Sequence, residues 1–174
     1  MAVARRAFGA RGFDATSLRS IAAEAHVDPG LLVHYFGTKE GIFRAALEIT
    51  FRPDELFAGL ERLGRRETAE HVVRRYLAVL ERDEARDVIM GLVRSAVSNE
   101  DAAAMLRTVL IGAALRSLTP LISEPDASLR ASLIVAQLIG IAMLKHVARL
   151  EQVVRAADEE LIELVSPAIE RYLR

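Results

Sequence analysis

Three residues, His26, Val27 and Asp28, separate two stretches whose apolar side chains recur at helical spacing. Before them Leu18, Ile21, Ala22 and Ala25 stand at i, i+3, i+4 and i+7, and after them Leu32 and Phe36 stand four apart. Pro29 closes the break. It is tolerated in the first turn of a helix, where its missing N–H is no loss, and Asp28 can accept the free N–H groups beside it. Two short helices joined by so few residues fit a helix-turn-helix arrangement. Ile21, Ala22 and Ala25 then form the buried side of the first helix, the two alanines let the second approach closely, and Val27 plugs the turn.

The same spacing extends in both directions. Residues 2–11 read as a helix stopped by Gly12, with Phe8 and Phe13 as apolar anchors on either side of the stop. Asp14-Ala15-Thr16-Ser17 is a polar turn ending in two N-cap candidates. Gly37-Thr38 ends the helix from Pro29, and Thr38 caps another whose apolar face (Ile42, Phe43, Ala46, Leu47, Ile49) runs to Phe51, with a boundary near Pro53. Beyond it helices are expected over 53–63, 67–82, 85–98, 101–118, 127–150 and 158–173. No segment alternates with period two and no repeat of 20–50 residues recurs, so the fold is all-α and not a solenoid.

Composition narrows the chemistry. The 174 residues hold no Cys, which excludes disulfides, zinc–thiolate sites, iron–sulfur clusters and thiol nucleophiles together. A reducing cytosol suits such a chain. His26, His34, His71 and His146 are scattered without the spacing that binds metal, and no nucleophile elbow, phosphate loop or dinucleotide fingerprint occurs. The pairs Asp54-Glu55 and Glu159-Glu160 are adjacent in helical sequence, so their carboxylates diverge and read as solvated helix starts. Neither an enzyme nor a cofactor is expected. The longest apolar stretch, 133–144, falls short of the ~20 residues of a bilayer span and reads as a buried helix; with no apolar signal segment at the start, a cytoplasmic protein is expected. Residues 1–51 carry six Lys and Arg against five Asp and Glu, so a nucleic-acid footprint must come from placement rather than bulk charge.

Placement does point that way. With Leu32 and Phe36 inward, Gly30, Leu31, Val33, His34 and Tyr35 are left to face outward. An outward Leu31 and Val33 are unexpected on a solvated surface, and contact with thymine methyls in a major groove explains them. The hydroxyls of Thr16, Ser17 and Tyr35, the free N–H groups at Leu18 and the ammonium of Lys39 can all donate to phosphate oxygens. Lys39 begins a helix, where the macrodipole disfavours a cation; as a lone residue it reads first as a solvated lysine.

The run from Phe8 through Gly12-Phe13-Asp14-Ala15-Thr16-Ser17-Leu18-Arg19-Ser20-Ile21-Ala22 and Val27-Asp28-Pro29-Gly30-Leu31-Leu32-Val33-His34-Tyr35-Phe36-Gly37-Thr38-Lys39-Glu40-Gly41-Ile42 resembles the N-terminal domain of TetR-type repressors. The resemblance covers about the first fifty residues. It implies a homodimeric, ligand-controlled transcriptional regulator: a three-helix DNA-binding domain of residues 1–51, and a helical effector-binding and dimerisation domain of residues 52–174. Carried across, Thr16, Ser17, Tyr35 and Lys39 match backbone contacts, and Gly30, Leu31, Val33 and His34 match positions facing bases or the adjoining backbone. Two departures stand out. Val33 occupies a position that is commonly Tyr, and the chain opens about one turn into the family's first helix without a basic arm, for which weaker and more salt-sensitive DNA binding is expected.

In the remaining two-thirds, Leu133, Ala136, Gly140, Met143 and Val147 follow one another at alternating spacings of three and four, and the last helix repeats Leu161, Val165, Ala168 or Ile169, and Tyr172. From the residues alone either stripe reads first as intramolecular core; the resemblance favours a four-helix interface between two subunits. A pocket for a small apolar or amphipathic effector is expected from Tyr76, Met90, Arg94, Asn99, Met105, Leu106, Leu110 and Gln137, each of which also reads as core filler or solvated surface. The competing reading of the whole chain is a helical ligand-binding or protein-interaction module whose head no longer reads DNA; mild charge, the missing arm and Val33 support it.

Overall fold

The structure, a computed structural model, describes residues 1–50, Arg52 and 56–174, without the side chains of residues 49 and 50. Ile49 as part of an apolar face, the helix end at Phe51, the boundary at Pro53, the helix start at 53 and the pair Asp54-Glu55 therefore lie outside the described residues. Within them the chain is helical and no strand occurs. The elements are α1 (Ala2–Arg11), α2 (Leu18–Ala25), α3 (Pro29–Phe36), α4 (Lys39–Thr50), α5 (Arg65–Leu80), α6 (Asp83–Ser95), α7 (Glu100–Met105), α8 (Gly112–Leu118), α9 (Ala127–Ala142), α10 (Glu151–Arg155) and α11 (Asp158–Tyr172). A wider π turn, Leu106–Ile111, joins α7 to α8, and another, Met143–Val147, extends α9.

Two compact units emerge. The first is Met1–Arg52 with Arg82–Val109, and the second is Pro53–Glu81 with Leu110–Arg174. The chain leaves the first unit after Arg52 and returns to it for α6 and α7.

In the first unit the helix ends follow local chemistry. Gly12 takes φ 79° as the cap of α1, a conformation that favours glycine. Ser17 caps α2, its hydroxyl oxygen accepting from the Ser20 N–H while Ser20 Oγ accepts from the Ser17 N–H. Asp28 Oδ1 accepts from the Gly30 N–H at 2.7 Å, with Pro29 at the first helical position. The core of this unit is a cluster of three rings: Phe8 stacks on Phe13 at 5.9 Å between centroids, and Phe43 meets both edge-on at 5.0 and 5.4 Å. Ile21, Ala22, Ile42 and Leu47 are buried around it. Val27 is not a plug: it is exposed, and the buried Ile21 and Ala22 close the corner.

Helix α6 lies against α1 with almost nothing between the backbones. A Cβ on Gly91 would stand 2.4 Å from the Phe8 carbonyl oxygen, and one on Gly9 would stand 3.0 Å from Asp87 Cβ. Ser95 Oγ accepts from the Phe13 N–H at 3.0 Å and donates to the Gly91 carbonyl at 2.9 Å. Arg5 pairs with Glu84 at 3.2 Å along the same seam.

In the second unit α11 packs along α5, and α9 lies against α5 and α11. Val72, Val73, Leu77, Leu80, Ile134, Leu138, Ile162 and Ile169 are buried there. Arg74 and Glu159 join α5 to α11 in a two-pronged ion pair. Lys145 donates to Asp158 at 3.0 Å and to Glu81 at 3.3 Å. Its burial alone would lower its pKa, but the two carboxylates outweigh that and hold the ammonium above its ordinary value. The helix expected over 127–150 ends earlier, because Arg149 turns into the left-handed region at φ 50° before α10 begins.

The apolar stretch 133–144 is not a buried helix. It belongs to a continuous helix, Ala127–Val147, of 21 residues, one of two among the described residues long and apolar enough by composition to cross a membrane, the other being Glu100–Leu121. Only 28% of the most apolar window of Ala127–Val147 is buried. Ile134, Val135 and Leu138 face inward, while Leu129, Leu133, Ala136 and Leu144 are exposed.

Candidate nucleic-acid interface

The side chains of α3 divide as the spacing requires. Leu32 is buried and Phe36 half-buried, whereas Leu31, Val33 and Tyr35 are 46%, 51% and 70% exposed, and Gly30 and His34 are exposed beside them. At about 100° per residue, Gly30 and His34 project from the side of the helix opposite Leu32 and Phe36, with Leu31 on one flank and Val33 on the other. The His34 and Tyr35 rings meet edge-on at 5.2 Å, which restrains both on the surface.

Of the side chains expected to donate to phosphate, not all are on the surface of this unit. Ser17 is exposed; its oxygen accepts within the cap, which leaves the hydroxyl proton free to point outward. Thr16 is a correction. It is 1% exposed, and its hydroxyl is spent on the carbonyls of Gly12 at 2.8 Å and Ala7 at 3.2 Å, so it fastens the α1–α2 turn instead of meeting a phosphate. Either Thr16 or Ser17 suits an N-cap by type; which one folds inward depends on carbonyls up to nine residues away.

Lys39 is neither a solvated lysine nor a loose one. Its ammonium donates to the Asp14 carbonyl at 3.1 Å and lies 4.4 Å from the centre of the Phe13 ring. One contact holds one of its three N–H groups, so the remaining donors can still meet an anion with the charge already positioned. Arg19, the second residue of α2, is a further exposed cation of this unit. The sequence reading passed over it because a single arginine near a helix start carries no distinguishing pattern.

The eight residues expected to line an effector pocket are divided between the two units. Met90, Arg94, Asn99, Met105 and Leu106 belong to the first unit, and Tyr76, Leu110 and Gln137 to the second. Two of them hold the first unit together. Asn99 caps α7, its Oδ1 accepting from the Ala102 N–H, while its Nδ2 donates to the Asp14 carboxylate at 2.7 Å. Arg94 donates to the Gly9 carbonyl at 3.1 Å. Both fasten the head. Met90 and Met105 are buried, Tyr76 is buried with its hydroxyl pKa pushed up by desolvation, and Leu106 and Leu110 are half-buried. Gln137 faces outward on α9 beside Ala136.

Of the stripes expected at a subunit contact, Leu133 and Ala136 are exposed, and Gly140, Met143, Val147, Val165, Ala168 and Tyr172 are partly so. Leu161 is not available: it is 8% exposed inside its own unit, whereas Leu164, one turn on, is 71% exposed. Both are leucines three apart in an apolar helix, and sequence alone cannot say which stripe faces α5. No group of three His, Asp or Glu able to hold a metal occurs among the described residues.

A short helix carrying an exposed reading surface, braced by a second across a tight corner and flanked by phosphate donors, defines a helix-turn-helix DNA-binding protein. Residues 1–46 match the model of the bacterial regulatory proteins of the tetR family, and residues 67–173 match that of the tetracyclin repressor-like C-terminal domain. The chain belongs to the TetR family of transcriptional regulators. It is similar to a TetR-family regulator from Streptomyces coelicolor, with 35% identity over 99% of this chain and 91% of that one and a TM-score of 0.76. GusR of Salmonella enterica (20% identity, 98% and 92% coverage, TM-score 0.68) and a transcriptional regulator from Rhodococcus (22%, 99% and 92%, TM-score 0.62) share the fold. Among proteins of curated function, none matches the chain.

Proposed function

We propose that this regulator acts in the cytoplasm as a homodimeric repressor that a small apolar or amphipathic molecule releases from its operator. The observation that carries the dimer is the outward face of α9. Leu129, Leu133, Ala136, Gly140, Met143 and Val147 follow one another at spacings of four and three, and the described residues of the subunit leave them uncovered or half-covered. An exposed apolar stripe of this length marks an interaction surface. A Cβ on Gly140 would meet nothing within 4 Å, so the subunit itself has no packing need for glycine there; a partner helix approaching closely would. Partly exposed Val165, Ala168 and Tyr172, with Leu164, supply the second helix of each subunit.

Two such subunits present two α3 helices to successive major grooves, with half-site centres about 34–36 Å apart or a multiple of that. The effector acts by binding better to a dimer whose heads are wrongly spaced, and operator affinity falls by the coupling free energy. The candidates for its contacts remain Tyr76, Leu110 and Gln137 in the second unit or Met90, Met105 and Leu106 in the first.

Selection of bound duplexes from a randomised pool tests the dimer reading. A two-fold symmetric consensus with half-sites one or more helical turns apart is expected. A single asymmetric half-site overturns the homodimer, and a pool from which no duplex is retained overturns DNA reading altogether.

A further inference from the structure

We infer that this regulator distinguishes operator bases chiefly by the 5-methyl groups of pyrimidines, read by Leu31 and Val33, rather than by a donor–acceptor match along α3. The inference rests on α3 being the DNA-reading helix and specifies what that helix reads.

The eight residues of α3 are Pro29, Gly30, Leu31, Leu32, Val33, His34, Tyr35 and Phe36. None is Arg, Lys, Asn, Gln, Ser or Thr, so the two-pronged pairings by which side chains recognise guanine or adenine in the major groove are unavailable. His34 alone projects from the centre of the exposed side with a group able to bond a base edge, and one such group cannot specify a half-site. Tyr35 lies on the flank with its ring against His34.

What the surface offers instead is hydrocarbon. Leu31 and Val33 flank the His34–Gly30 line at 46% and 51% exposure, and no described element of the first unit covers either. Both side chains are short, and contact with a groove floor requires the helix axis to come close. Gly30 permits that approach, because its outward side carries no side chain; a Cβ there would stand 2.8 Å from the Asp28 Oδ1 that caps the helix. The occupant is a nucleic-acid duplex and not an apolar protein surface, since α3 is the reading helix of a DNA-binding head whose Ser17 hydroxyl proton and Lys39 ammonium keep donors for anions. The one apolar group that a major groove displays is the pyrimidine 5-methyl.

The test uses the full chain and duplexes selected from a randomised pool. Each thymine of a half-site is replaced in turn by deoxyuridine, which removes the methyl and keeps every hydrogen-bonding group. Burying one methyl corresponds to about fourfold in affinity, so a loss of roughly three- to tenfold is expected at one or two thymines per half-site. At those positions 5-methylcytosine binds more tightly than cytosine. Val33→Ala or Leu31→Ala abolishes the thymine–uracil difference at the thymine each residue reads. Equal affinity for thymine and uracil throughout the half-site, or discrimination that survives in both variants, overturns the inference while leaving DNA binding intact. Failure to retain any duplex sinks the DNA-reading function together with it.

Discussion

Ser95 Oγ accepts a hydrogen bond from the Phe13 N–H at 3.0 Å, across 82 residues of sequence, while donating its own proton to the Gly91 carbonyl. The first residue after the α1 cap is thereby fixed to a helix that the chain reaches only after leaving the unit and returning. The α3 surface is carried on the body that this bond closes.

Removing the hydroxyl tests the closure. Ser95→Ala strands a buried Phe13 N–H, a loss of about 1–3 kcal/mol. Gly91→Ala is more severe, because its Cβ would press on the Phe8 carbonyl, a backbone atom with no rotamer to yield; overpacking of this kind costs about 1–3 kcal/mol or more. Urea denaturation of the two variants, with midpoints lowered at unchanged slope, checks both. Unchanged midpoints would show that α6 is not fastened to the head.

That fastening also marks where sequence reading ends. Gly12, Ser17, Asp28-Pro29 and Thr38 placed the first helix boundaries because a cap acts on its own backbone within three residues. The outward set on α3 followed from Leu32 and Phe36 by geometry alone. Nothing local shows that Ser95, Gly91 and Asn99 return to serve Phe13, Phe8 and Asp14, since such pairs leave no period. Asn99 and Arg94 consequently read as polar groups awaiting a ligand. Arg149 escaped for another reason: it takes a left-handed conformation that sequence reading assigns to glycine or asparagine, so the expected helix ran through it to Leu150 and the short α10 after it was missed.

His71 gives the second unit a dependence on acid. Burial holds its pKa below the ordinary 6.5, with Arg75 and Arg74 adding to the effect, and its Nε2 is buried without a hydrogen-bond partner. The unfolded chain therefore binds a proton that the folded chain resists. This contribution to stability is present in full above pH 6.5 and is lost as pH falls through that value and through the lower folded one. Thermal unfolding between pH 7.5 and 5 should show a falling midpoint, with the slope reduced in His71→Gln. Identical slopes in the two proteins would remove His71 as its source.

Phosphate and base contacts separate in a salt titration. Lys39→Ala should weaken binding to all duplexes evenly and reduce the slope of log affinity against log salt by about one. His34→Ala should leave that slope alone and change which duplexes bind, by about 1–3 kcal/mol at one base pair. Because Lys39 also holds the Asp14 carbonyl, the circular dichroism melt of Lys39→Ala is the control; an unchanged melt with even loss of affinity assigns its charge to the phosphate.

Gly140 and Leu161 separate association from folding. A Cβ at Gly140 meets nothing within 4 Å, so Gly140→Leu starts into open space, and relief of the glycine penalty in a helix adds about 1 kcal/mol to its stability. The same side chain would stand where a partner helix must approach. Leu161 is buried, and Leu161→Ala should cost about 2–5 kcal/mol through the cavity it leaves, whether or not a partner is present. Analytical ultracentrifugation with parallel denaturation reads both. Gly140→Leu should sediment as a stable monomer, whereas Leu161→Ala should be less stable at any concentration. A Gly140→Leu variant that remains dimeric would move the contact away from this face of α9.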